Sequence, residues 1–160
     1  VASDLRRARA AAERLAAGWG LAPAAVAVDA RLREMDFGAW DGRAWDELQR
    51  ADGDALGAWM ARWHELPARA GEGFPDVRVR VAAWLDDARR AHAGDDAPLV
   101  VVAHAGSIRA LLCHALGIPL DAAFRLRVDH ARVTTLRVPD ADGDGCAARG
   151  ELLLLNAARP

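Results

Sequence analysis

The run Pro98–Leu112, PLVVVAHAGSIRALL, constrains the fold of this chain more than any other stretch. Leu99, Val100, Val101 and Val102 form a short apolar run between a proline and a glycine-bearing turn, and an apolar-periodic helix begins directly after it. Such a run predicts a strand buried on both faces, the kind found in parallel sheets. Ligands bind outside the carboxyl ends of such strands, and His104 stands at that end. Gly106 permits close backbone approach, Ser107 is placed to cap a helix over Ile108–Leu116, and the free N–H groups of that helix's first turn suit an anion. A histidine beside an anion site suggests phosphate chemistry. A histidine satisfied within a β–α loop explains the same position equally well.

The rest of the chain fits an α/β fold, a mostly parallel sheet with helices on both faces and Leu99–Ala103 central in it. Ser3 caps a predicted helix over Asp4–Ala17, with Leu5, Ala8, Ala12 and Leu15 on one face and Gly18 as its stop. Arg6, Arg7 and Arg9 crowd the first turns, where cations oppose the helix dipole unless an anion offsets them. A short strand is expected over Ala24–Ala30, then a glycine-punctuated loop over Leu32–Leu48 carrying Glu34, Phe37, Trp40 and Trp45. Helices follow from Asp46 and over Leu56–Trp63, where Trp59 and Trp63 stand one turn apart. The loop Pro67–Pro75 places Glu72 between two glycines, and an amphipathic helix runs over Asp76–His92 on the stripe Val77, Val81, Trp84, Leu85, Ala88. Alternation over Arg125–Val128 and Val133–Val138, with the apolar run Leu152–Leu155, predicts a small antiparallel addition at a sheet edge.

Composition narrows the function classes. The 160 residues suit one domain spanning 1–160, and a net charge of -2 offers no basic field for nucleic acid or an anionic membrane. Every one of the 21 basic residues is arginine, the better fork for phosphate. Cys113 and Cys146 lack metal-ligand spacing, which with the absence of a leader or a long apolar span suggests a reduced, cytoplasmic setting. Asp140, Asp142, Asp144, Gly145 and Glu151 match the calcium-loop pattern, but strand-like flanks and Pro139 replace the helices that pattern needs. A polar hairpin connection is the preferred reading, and no metal or other cofactor is expected.

The segments SDLRRARAAAERL, LREMDFGAWDG, PARAGEGF and VVVAHAGSIRALL, in that order, resemble the histidine phosphatase (phosphoglycerate-mutase-like) superfamily. Within it, EMDFGAW, GEGF and FRLRVDHA are most similar to α-ribazole phosphatase of cobalamin assembly. The resemblance runs from Val1 to about Val138. It implies a phosphomonoester hydrolase acting through a phosphohistidine, with α-ribazole 5'-phosphate as substrate, and a small-molecule phosphate ester as the ligand. It leaves room for a homodimer. It assigns His104 to stabilising the transferring phosphoryl group, Glu72 to general acid–base catalysis, and Arg7 and Ala105 to substrate binding. Arg6 and Arg9 match no family role.

One departure is large. The family's nucleophile is the histidine of an Arg-His-Gly triplet, and none of His64, His92, His104, His114 and His130 follows an arginine or precedes a glycine. The chain is therefore expected to be an N-terminally shortened phosphatase, inactive by itself. The alternatives are a non-catalytic relative that binds phosphate or a partner, and another phosphatase or mutase of the superfamily.

Overall fold

A computed structural model of the protein describes residues 1–139 and 150–158. Four helices dominate it: α1 (Arg6–Gly18), α2 (Trp45–Ala61), α3 (Phe74–Ala91) and α4 (Ala105–Leu116). Two strands, β1 (Val133–Arg137) and β2 (Glu151–Ala157), pair antiparallel as predicted for the tail. The expected strand over Arg125–Val128 is absent; a 3-10 turn over Leu120–Arg125 runs into irregular chain there.

The parallel part of the sheet is narrow. Val1–Ser3 lies between two extended segments, with Ala2 bridging Val28 on one side and Val102 on the other, both parallel. Ala2 N donates to Ala27 O and Ser3 N donates to Val102 O, each at 2.9 Å. Among the described residues Leu99–Ala103 pairs on one side only, with Val1–Ser3, which has partners on both sides. Leu99 and Val100 are accordingly 38% and 43% exposed. Of the strand expected over Ala24–Ala30, only the bridge at Val28 forms, because Pro23–Ala25 turns as a 3-10 helix first.

The helices start and stop where local chemistry dictates, within a few residues of the expected bounds. Ser3 is fully buried in the sheet, and its Oγ accepts from Leu5 N at 3.3 Å, so α1 begins only at Arg6. Its buried face is Ala8, Ala12 and Ala16, three small side chains that allow close packing, while Leu15 points outward. The two helical stretches expected from Asp46 and over Leu56–Trp63 are both present within α2, on either side of a non-helical kink at Asp52 (φ -138°, ψ 28°). The kink is stapled: Asp52 accepts from Trp40 Nε1 at 3.2 Å and forms an ion pair with Arg69. α3 opens at Phe74, with Asp76 accepting from Gly73 N at 3.0 Å and Pro75 in the first turn, where its missing N–H costs nothing. α4 ends on Gly117 in the left-handed region (φ 67°).

α3 joins two buried clusters. Val77 and Val81 sit with Met35, Trp40, Leu48, Leu56 and Phe74 in one. Trp84 and Leu85 sit with Leu32 and Ala115 in the other, beneath Val101, Ala103, Leu136 and Val138. Each fully buried valine contributes roughly 1.5–3 kcal/mol. The aromatic residues of the loop and α2 meet edge to face, Phe37 and Trp40 against Trp59 and Trp63 against Phe74, as core packing. Cys113 is a buried thiol in α4, and burial pushes its pKa up. The aspartates and glycine of the calcium-like pattern, Asp140 to Gly145, lie outside the described residues, as does Cys146; Glu151 pairs with Arg137 at 2.9 Å. Among the described residues no helix is long and apolar enough to cross a membrane.

Candidate active site

His104 arrives at the end of the extended Leu99–Ala103 segment and directly precedes α4. The helix begins at Ala105, three residues ahead of the expected start, so Ser107 lies inside the first turn and reaches back. Its Oγ accepts from His104 N and donates to His104 O, both at 3.1 Å. Ile108 N also donates to His104 O, at 2.8 Å, which fixes the backbone of the histidine completely.

One nitrogen of the side chain has a partner and the other is buried without one. Arg7 Nε donates to His104 Nδ1 at 3.2 Å, which assigns the imidazole proton to Nε2. His104 is only 8% exposed, yet Nε2 has no hydrogen-bond partner. A buried donor left unpaired costs about 1–3 kcal/mol and calls for an explanation. Burial pushes the imidazole pKa down and the Arg7 charge pushes it further, against the smaller opposing effect of Glu34, so the neutral form holds at neutral pH. Arg7 itself is solvent-exposed, and among the described residues no carboxylate pairs with it. A guanidinium without a counter-charge thus stands beside an imidazole N–H without an acceptor.

Glu72 occupies the opposite condition. Its loop closes through an antiparallel bridge between Pro67 and Gly73, and Glu72 N donates to Asp36 O at 2.8 Å. Gly71 presses on the Asp36–Gly38 backbone so closely that a Cβ there would lie 2.4 Å from Asp36 O. The Glu72 carboxylate takes a two-pronged fork from Arg80, Nε to Oε1 at 2.7 Å and Nη2 to Oε2 at 2.9 Å, and Oε2 also accepts from Asp36 N at 3.3 Å. Arg80 spends its remaining reach on backbone, donating to Arg31 O at 2.5 Å and Glu34 O at 3.1 Å. The carboxylate borders an open cleft of about 560 Å³ lined by Arg33, Glu34, Asp36, Asp76 and Arg80.

The structure therefore brings Arg7 and His104 into contact, with Ala105 the first residue of α4 beside them. Glu72 bonds neither of them directly; it connects through Arg80 to the Glu34 carbonyl, and the Glu34 carboxylate in turn accepts from Gly106 N at 3.2 Å. That last contact alters the expected anion site, since one N–H of the first turn of α4 is already taken. Arg80 and Asp36 have no role in the sequence reading. Arg80 leaves a trace nonetheless, a charge one position before Val81 on the buried stripe of α3 and eight residues after Glu72. Among the described residues no cluster of three His, Cys, Asp or Glu side chains is placed to hold a metal.

The family model of the histidine phosphatase superfamily (branch 1) matches residues 1–146. The chain belongs to that superfamily. It is 39% identical over 128 residues to glucosyl-3-phosphoglycerate phosphatase of Mycolicibacterium vanbaalenii, covering 76% of this chain and 54% of the relative. Adenosylcobalamin/α-ribazole phosphatase of Escherichia coli K12 is 32% identical over 105 residues, 65% of this chain and 50% of that enzyme. Among solved structures, mycobacterial hydrolase 1 superposes with a TM-score of 0.83 at 31% identity, over 98% of this chain and 75% of the other. The fold is thus the α/β fold of the phosphoglycerate-mutase-like histidine phosphatases. The chain spans about half the length of the curated relatives it matches.

Proposed function

We propose that the protein is a phosphomonoester hydrolase of the histidine phosphatase type in which Arg7 and His104 bind the phosphoryl group and Glu72 serves the leaving oxygen. The observation that carries this reading is the buried, unpaired Nε2–H of His104 beside the uncompensated Arg7. A phosphoryl oxygen accepting from both gives the arginine an anion and the imidazole an acceptor, and each contact strengthens as charge builds on the transferring group.

In the first step a histidine nitrogen attacks phosphorus, the P–O bond to the alcohol breaks, and Glu72 protonates the departing oxygen. In the second, Glu72 takes a proton from water as that water attacks phosphorus, and the P–N bond breaks to release phosphate. The Arg80 fork and Asp36 N orient the ionised Glu72 carboxylate that takes the proton from water; for the first transfer Glu72 must carry a proton, so one arm of that fork gives way to it. The nucleophile matches no histidine of these 160 residues, and the one-sided pairing of Leu99–Ala103 supports a place for it on a strand alongside Val102. The chain alone is accordingly inactive in this reading.

For substrate, the likeness to α-ribazole phosphatase in EMDFGAW and GEGF supports α-ribazole 5'-phosphate. The higher identity to the Mycolicibacterium enzyme favours a second reading, glucosyl-3-phosphoglycerate. The test compares the two esters and an aryl phosphate on the chain alone and on a chain extended upstream by a strand ending in Arg-His-Gly. EDTA-resistant turnover in the extended chain alone, with one alkyl ester preferred, is the expected result. Turnover that EDTA abolishes would count against the reaction type.

A further inference from the structure

Asp52 stands where α2 leaves helical geometry, and its carboxylate turns away from the helix toward two loops. Oδ2 accepts from Trp40 Nε1 at 3.2 Å, Oδ1 pairs with Arg69, and Arg43 Nη1 lies 3.9 Å from Oδ2. The side chain is only 14% exposed, so these donors offset the cost of taking a carboxylate out of water. The two loops are the ones that hold Glu72. Ala39 N donates to Arg69 O at 2.9 Å, Glu72 N donates to Asp36 O at 2.8 Å, and Glu72 Oε2 accepts from Asp36 N at 3.3 Å. They meet backbone to backbone: a Cβ on Gly38 would overlap the Ala70 carbonyl, and one on Gly71 the Asp36 carbonyl. Ala70 takes a left-handed φ of 54° in this contact, a conformation that a residue with a Cβ keeps only where its surroundings impose it.

From these contacts we infer that Asp52 is a positioning residue: at the kink of α2 it ties loop 36–40, through Trp40, to loop 67–73, through Arg69, and so keeps Glu72 where Asp36 holds it. The consequence for catalysis rests on the phosphatase reading, in which Glu72 serves the leaving oxygen. Asp52 does not bond Glu72 itself and acts at one remove. Without its carboxylate, the buried Trp40 Nε1–H loses its acceptor and Arg69 loses its anion, so nothing from α2 clamps the two loops. The Asp36 contacts to Glu72 then loosen, while the Arg80 fork, which comes from α3, stays in place.

Amide hydrogen exchange in the 160-residue chain reads the clamp directly, because the N–H groups of Ala39 and Glu72 are the bonds that cross between the loops. Asp52→Ala should speed exchange at both by about tenfold or more, with the α4 amide of Leu112 unchanged. Asp52→Asn, which keeps one acceptor oxygen, should fall between that variant and the native chain. Arg69 is 57% exposed, so Arg69→Leu removes one tie without disturbing the core. It should speed the same two amides by less, and add nothing in the Asp52→Ala background, as expected for two substitutions acting through one contact. In the chain extended by the nucleophile strand, Asp52→Ala should lower kcat more on alkyl than on aryl phosphates and leave KM unmoved. Equal losses on both esters, with the local exchange change present, would contradict the acid role of Glu72 while leaving the clamp standing. Unaltered exchange at Ala39 and Glu72 in both Asp52→Ala and Arg69→Leu would overturn the inference, as would a rise in Arg69→Leu that α1 and α4 share equally.

Discussion

The corner built by Arg7 and His104 and the corner built by Glu72 and Arg80 solve opposite problems. At the first, a guanidinium without a counter-charge bonds an imidazole whose other nitrogen has no acceptor, on a histidine only 8% exposed. At the second, both carboxylate oxygens are occupied, by Arg80 and by a backbone N–H. A group that must grip a transient ligand has to be left unsatisfied in the ligand's absence. A group that must deliver a proton to one atom has to be held still. In the proposed reading the first corner is left free for a ligand, while the second fixes the Glu72 carboxylate in one orientation and favours its ionised form.

Breaking the unfilled corner should have the largest effect. In the extended, active chain, His104→Ala should lower kcat by about a hundredfold to a thousandfold on aryl and alkyl phosphates alike, because it acts on the phosphoryl group common to both. Unequal losses on the two esters, in steady-state kinetics, would move His104 to the leaving-group side. At the saturated corner, Glu72→Gln should cost roughly a hundredfold or more on alkyl phosphates and far less on an aryl phosphate, whose phenolate departs without a proton. Arg80→Met should reproduce that asymmetry at about tenfold, since it loosens Glu72 without removing it.

Acid sharpens the comparison through stability. Burial depresses the pKa of His104 and of His114 below the ordinary 6.5, so the unfolded chain binds protons that the folded one refuses. Stability should therefore decline as pH falls below about 6.5. The denaturant midpoint followed from pH 7.5 to 5 checks this, with a shallower slope expected for His104→Gln. The smallest effect belongs to a residue outside both corners. Arg9 pairs with Glu13 one turn away on the surface, and Arg9→Ala should change stability by no more than about 0.5 kcal/mol and leave kcat unmoved.

What the sequence discloses follows the same division. His104 is legible because an apolar run, a glycine and a helix pattern all bracket it, and the tail hairpin and the amphipathic stripe of α3 are legible by periodicity. Glu72 is visible only as an acid between glycines, and nothing local tells that Arg80 will grip it, because that contact depends on how α3 leaves the loop. Glu34 and Gly106 are 72 residues apart, and their hydrogen bond exists only once the chain has folded. The strand over Ala24–Ala30 fails for a local reason: Pro23 fixes a turn that alternation alone does not foresee. The division of α2 into two helical stretches is legible from periodicity, but the place of its break is not, because Asp52 is held there by Trp40 and Arg69.

The most direct measurement is titration of inorganic phosphate into the 160-residue chain, followed at the His104 Nε2 resonance. The account predicts a saturable shift at Nε2 that Arg7→Leu abolishes, while His64 and His92 stay put. A resonance that does not move, or that moves equally in Arg7→Leu, would contradict it.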